Sequence, residues 1–168
     1  MKVRTLTTLA AAVAVIAAFA MATNGVDAGN GPQIAEMSLA DTIAKRQQMM
    51  KDTGASMKAI SEFVESGTGT AEDVGKRAGA MKEFSGGIAD LFPAGTSIDD
   101  DVAKTAAKKD IWDSFEEFKA GATKMGELAA GLQEAAGTGD QQKIADAFNM
   151  LGKEGCGGCH SKFRLKTP

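Results

Sequence analysis

The 168 residues carry 19 Lys and Arg against 22 Asp and Glu, with one histidine, one tryptophan, no tyrosine and two cysteines. That length suits one domain, and the lack of any basic run excludes nucleic acid as a partner. Two cysteines three positions apart exclude a disulfide framework, because the loop they would close is too small to stabilise much.

Residues 1–28 read as a secretory signal peptide. Lys2 and Arg4 precede an unbroken apolar run, Leu9 to Ala22, that is short for a membrane span. Cleavage is expected after 28, at Val26-Asp27-Ala28, with Ala20-Met21-Ala22 as the alternative site; an uncleaved anchor is the competing reading. Removing Lys2, Arg4 and Asp27 leaves 17 basic and 21 acidic residues, about −4 in net charge. The domain at 29–168 is large enough to bury a core. It is expected in the periplasm, with no membrane span once the signal is gone.

The mature chain reads as helices without a strand pattern. A first helix is expected over about 38–65, with Ile43, Met50, Met57 and Val64 repeating every seven residues and Leu39 and Ile60 on the adjoining row. "SGTGT" (66–70) breaks it, and Thr70 with Asp73 offers a capping box for the second helix. That helix would turn Val74, Ala78, Met81, Phe84, Ile88 and Leu91 inward, and Pro93 and Gly95 end it. A third helix carries Ile111, Phe115, Phe118, Ala122, Met125, Leu128 and Leu132 up to "GTGD" (137–140). A fourth carries Ile144, Phe148 and Leu151 into the cysteines. Four helices of about 20 to 28 residues predict an all-α fold, an antiparallel up-down-up-down four-helix bundle. Gly152, Gly155, Gly157 and Gly158 weaken the fourth helix by roughly 1 kcal/mol each relative to alanine. They suit a flat, bulky group lying against its backbone; the plainer alternative is a helix that stops near Gly152.

"EGCGGCHSKF" (154–163) holds both cysteines and the only histidine. A redox dithiol belongs at a helix start after a strand, which this all-helical chain does not offer. A structural zinc ion needs four ligands, and Cys156, Cys159 and His160 are three. The spacing Cys-x-x-Cys-His suits covalent haem instead. Both sulfurs lie on one helix face and can add to two vinyl groups, while His160, about 100° further round, reaches the iron. Export agrees with this, since the thiols are consumed as thioethers outside the reducing cytosol. The cofactor expected is one haem c per chain, covalently attached.

The chain resembles class II c-type cytochromes, the group of cytochrome c prime and its low-spin, six-coordinate relatives. The stretches that carry the resemblance are "KRQQMMK" (45–51), "LFPAGT" (91–96), "AAKKDIWDSF" (106–115) and "KEGCGGCHSKFR" (153–164). The resemblance implies a left-handed bundle with haem between the helices, thioethers at Cys156 and Cys159, and His160 as proximal ligand. It implies a basic neighbour of that ligand at Arg164, which would otherwise be a solvated charge near a helix end. It also implies that Arg46 and Gln47 approach the haem propionates. Independently, Arg46 sits at the edge of the inner stripe with no inward carboxylate in sight, where burial is costly unless it is paired. The alternative is an arginine that snorkels at the bundle rim.

With one histidine, the sixth iron position decides between functions. Met50 matches the place that faces the distal iron; low-spin members ligate through methionine there, and five-coordinate members carry various bulky residues. A ligating Met50 implies an electron carrier, because a thioether favours ferrous iron. A core Met50 implies a five-coordinate protein binding NO or CO. Met49 should point away, toward the surface or an interface. An enzyme is not expected, for want of a distal histidine. The expected partners are periplasmic or membrane redox proteins, and the resemblance implies a homodimer through the first two helices. The acidic charge is spread along all helices, so no docking face is expected to stand out.

Overall fold

The computed structural model describes residues 37–166, so the expected signal peptide lies outside them. Helix α1 (Leu39–Ser66) starts where the Ser38 hydroxyl accepts the Asp41 amide at 3.1 Å, and it stops where Gly67 turns left-handed at φ 72°. Helix α2 (Ala71–Gly87) starts on the expected cap: Thr70 Oγ1 accepts the Asp73 amide at 3.1 Å and donates to the Asp73 carboxylate at 2.9 Å. At 17 residues α2 is shorter than predicted, because the chain tightens into a 3-10 turn (Ala89–Leu91) before Pro93.

The third predicted helix is two. A single turn, α3 (Asp110–Asp113), is separated from α4 (Phe115–Thr138) by Ser114, whose backbone (φ −132°, ψ 46°) is not helical. Trp112 accounts for the break. Its indole N–H donates to the Phe92 and Pro93 carbonyls at 3.0 and 3.2 Å, tying α3 to the loop after α2 rather than to α4.

The fourth helix does not stop near Gly152. Helix α5 (Gln141–Met150), capped by Asp140 on the Gln142 and Lys143 amides, continues through a wide π segment (Leu151–Gly157) into α6 (Gly158–Phe163). Three of the four glycines singled out above fall inside the π segment, where φ and ψ remain ordinary. A residue with no side chain makes the wider turn cheap to accommodate.

Cross-helix neighbours run in opposite order, which makes the bundle antiparallel. Gly75 of α2 faces Ala136 of α4, Gly79 faces Gln133, and Ser85 faces Gly126. Likewise the Gln141 amide reaches the Phe63 and Val64 carbonyls, and Gly152 faces Met57. Small residues bring α2 and α4 close together, and their seam holds Val74, Ala78, Met81, Ala129 and Leu132 in the core. Helix α1 packs more loosely, burying Ile43 and Ile60 while Met50, Met57 and Val64 stay half-covered. Leu39 is 40 % exposed rather than inward, since only the loop at Gly95 lies opposite it. Past α6 the chain is pinned to the loop before α3: Lys108 N–H donates to Phe163 O at 3.0 Å, and Leu165 N–H to Ala106 O at 2.8 Å.

Candidate haem-binding site

The looseness of α1 has a counterpart in space. Between α1 on one side and α4 with the π segment and α6 on the other lies a slot formed by two adjoining cavities. The inner one, about 290 Å³, is walled by Met50, Met57, Ile88, Ala122, Met125 and Gly155, and by Cys156, Cys159 and His160. The outer one, about 500 Å³, opens between Arg46, Gln47, Lys51, Thr105 and Arg164. Met50, Gly54, Phe118, Cys159 and His160 border both.

The slot fits a flat macrocycle with two carboxylates. Gly54, Gly121, Gly152 and Gly155 line it from three helices. A Cβ at Gly54 would meet nothing within 4 Å and would stand in the slot; one at Gly121 would lie 3.9 Å from Cys159 Sγ. Glycines at mid-helix cost stability, and here the side chains they lack leave space in the slot. The inner walls are apolar and the outer rim is cationic, matching a porphyrin with propionates at one edge. Of the four glycines singled out in the sequence, Gly152 and Gly155 line the inner cavity and Gly157 and Gly158 do not. Gly54 and Gly121 line it as well, and the sequence signal that marks them is a glycine inside a periodic helix.

Cys156 lies in the π segment, and Cys159 and His160 lie in α6. Burial pushes both thiols up, with the Cys156 charge adding to the effect at Cys159. That is the reverse of what a redox dithiol needs. Burial and the nearby Arg164 guanidinium push His160 down, which keeps its imidazole neutral and its lone pair free for a metal. Arg164 stands at the rim, its amide donating to His160 O at 3.2 Å.

Arg46 does not snorkel. It is 3 % exposed, and its two terminal nitrogens donate to Leu91 O, Thr96 Oγ1, Thr96 O and Thr105 Oγ1 at 3.2, 2.8, 2.5 and 3.0 Å. Its carbon Cζ lies 4.3 Å from the centre of the Phe92 ring. Burial lowers it to about 10, which leaves it charged at neutral pH. Gln47 also grips the loop, donating to Lys104 O at 2.7 Å. Loop oxygens thus satisfy the arginine that had no carboxylate, while both residues still border the outer cavity. Lys51 and Thr105 complete the rim; nothing in their sequence setting marked them.

Met50 faces the slot from α1 on the wall opposite the Cys-x-x-Cys-His face. Met49 is half-buried and lines neither cavity. Thr53, one turn on from Met49, spends its hydroxyl on the Met49 carbonyl at 2.9 Å.

Comparison with known proteins converges on one group. The family model described as Cytochrome C' matches residues 41–164. A cytochrome c' of Pararhodospirillum photometricum is 36% identical over 119 residues, 71% of this chain and 92% of that protein. A cytochrome c-556 of Agrobacterium tumefaciens (strain B2A) is 34% identical over 128 residues, 76% of this chain and 99% of the relative. Among solved structures, cytochrome c' from Thermochromatium tepidum superposes with a TM-score of 0.71 at 27% identity, covering 79% of this chain and all of the other.

Proposed function

The chain belongs to the cytochrome c' family and carries one covalently attached haem c, and from that premise we propose that it is a six-coordinate electron carrier with the iron between His160 and Met50. The observation that carries this reading is the position of Met50, across the slot from His160 and bordering both cavities as His160 does. Haem c held there supplies a one-electron ferrous–ferric couple. The chain's own residues do the rest. Cys156 and Cys159 fix the group to the last helix, and neutral His160 offers its lone pair. The Met50 thioether, a soft ligand, stabilises the reduced state and raises the potential. Phe118, Ala122, Met125 and Met57 keep water from the inner end of the slot, which limits reorganisation when the charge changes.

A five-coordinate protein binding NO or CO is the second reading. It draws on the apolar lining beside Met50, where Met57, Ile88, Ala122 and Met125 would admit a small neutral ligand. Export on residues 1–28 and a periplasmic location accord with thioether formation outside the cytosol. No helix among the described residues is long and apolar enough to cross a membrane. A homodimer through α1 and α2 would cover the half-buried Met49.

The deciding experiment compares absorption spectra of wild type and Met50→Leu, oxidised and reduced, with and without CO. A low-spin, CO-indifferent wild type that becomes high-spin and CO-reactive in the variant is expected. A high-spin, CO-binding wild type unchanged by the substitution would establish the gas-binding reading instead.

A further inference from the structure

Helix α1 forms one wall of the slot, and among the described residues it is hydrogen-bonded to the rest of the bundle at two places. Near its C-terminus the Gln141 amide donates to the Phe63 and Val64 carbonyls. Near its N-terminus Arg46 and Gln47 hold the loop that follows α2. Between these ties stand Met50, Thr53, Gly54 and Met57, which face the slot and make no hydrogen bond across it. The N-terminal tie continues directly to the opposite wall. Arg46 donates to Thr105 Oγ1 at 3.0 Å and Gln47 to Lys104 O at 2.7 Å. The next residue, Ala106, accepts the Leu165 amide at 2.8 Å, and Lys108 donates its amide to Phe163 O and its Nζ to Lys162 O at 3.0 and 2.8 Å. Residues 104–108 thus join α1, one turn before Met50, to the end of α6 and the residues just past it, close to His160. Five residues span at most about 18 Å when fully extended, so this strap limits how far the two walls can separate.

We infer that residues 104–108 position the Met50 wall against the sixth iron position, with Thr105 and the strap's main chain acting through α1. The inference rests on haem occupying the slot. It holds whether Met50 ligates the iron or only screens it, because in both cases an entering ligand needs the space that Met50 fills. A helix tied at both ends and unbonded between them opens first where a tie is released. Along the axis Arg46 lies about 6 Å from Met50 and Phe63 about 20 Å, so release of the strap is felt at Met50 and release of Gln141 is not.

The test measures the rate of CO binding to the ferrous holoprotein in Leu165→Pro. Proline removes the amide that bonds Ala106 O, and Arg164 (φ −115°, ψ 132°) already has the extended backbone that a residue before proline adopts. Binding is expected to quicken at least about threefold, the scale of one lost hydrogen bond. Leu165→Ala, which keeps the amide, should bind CO at the wild-type rate, and so should Gln141→Ala, which cuts the far tie. Thr105→Val keeps the shape and loses the hydroxyl to which Arg46 and the Ala107 amide donate. It should quicken binding from the other end of the strap, and it decides the matter if Leu165→Pro loses helical content. Wild-type rates in Thr105→Val and in folded Leu165→Pro would overturn the proposal. An equal rise in Gln141→Ala would also overturn it, because α1 would then be loosening as a whole. A high-spin wild-type spectrum would remove Met50 as ligand and leave this comparison of rates standing.

Discussion

Arg46 is conspicuous in the sequence, yet the protein groups around it are not legible there. Its place on the inner edge of α1 demanded a partner, and a carboxylate was the natural one to look for. The partners are four loop oxygens and a ring face, none of which is recognisable without the folded loop. Arg46→Met should leave those oxygens short of donors and destabilise the fold by about 2–4 kcal/mol, read by urea unfolding. Asp100 gives the same loop a pH dependence. The Ser97 hydroxyl and then the Ser97 amide, at 2.6 and 2.7 Å, hold its carboxyl below the ordinary 3.8. A depressed folded value means that this stabilisation is complete above about pH 3.8 and is lost as the pH falls through the folded value. Acid titration of stability should therefore be shallower in Asp100→Asn than in wild type below pH 4.

At the scale of elements, the caps and breaks were legible because they rest on local chemistry. Thr70 with Asp73 and the turn at "GTGD" stand where the sequence put them, while α2 ends at Gly87, short of the stop expected at Pro93. The split at Ser114 was not legible, since it follows from Trp112 reaching carbonyls some twenty residues back. The π segment was half legible: glycines advertised a strained stretch, and only packing decided that it widens rather than ends. The α2–α4 seam depends on contacts that no single helix reveals. A Cβ at Gly126 would stand 2.3 Å from Ser85 Oγ, whose hydroxyl is engaged with Lys82 O, and 3.3 Å from Ser85 Cβ. Gly126→Ala should therefore cost about 1–3 kcal/mol despite the better helix propensity of alanine, and Ser85→Gly in the same chain should recover much of it, both by thermal unfolding.

For the whole molecule, the haem slot is part of the core. Helix α1 meets the rest of the bundle largely across the two cavities, while α2 and α4 are fastened to each other directly. Cofactor and fold should be coupled unevenly. In Cys156→Ala/Cys159→Ala, which cannot attach haem, amide hydrogen exchange is expected to speed up most in α1 and least along the α2–α4 seam. Uniform acceleration in all helices would mean that haem stabilises the bundle as a single unit.

What the sequence determined by itself was whatever depends on near neighbours: four amphipathic helices, their caps, and a Cys-x-x-Cys-His run whose chemistry is set by residue type and spacing. The family and its cofactor followed from these. What only the tertiary structure decided depends on residues far apart in the chain. Met50, Gly54 and Gly121 line the wall facing His160 or border it only once α1 and α4 are placed. Arg46 finds its oxygens only when the loop has closed over it, and Lys51 and Arg164 come to one rim only when α1 and the end of the last helix are placed. Periodicity specifies which face of a helix turns inward, but not what stands across from it.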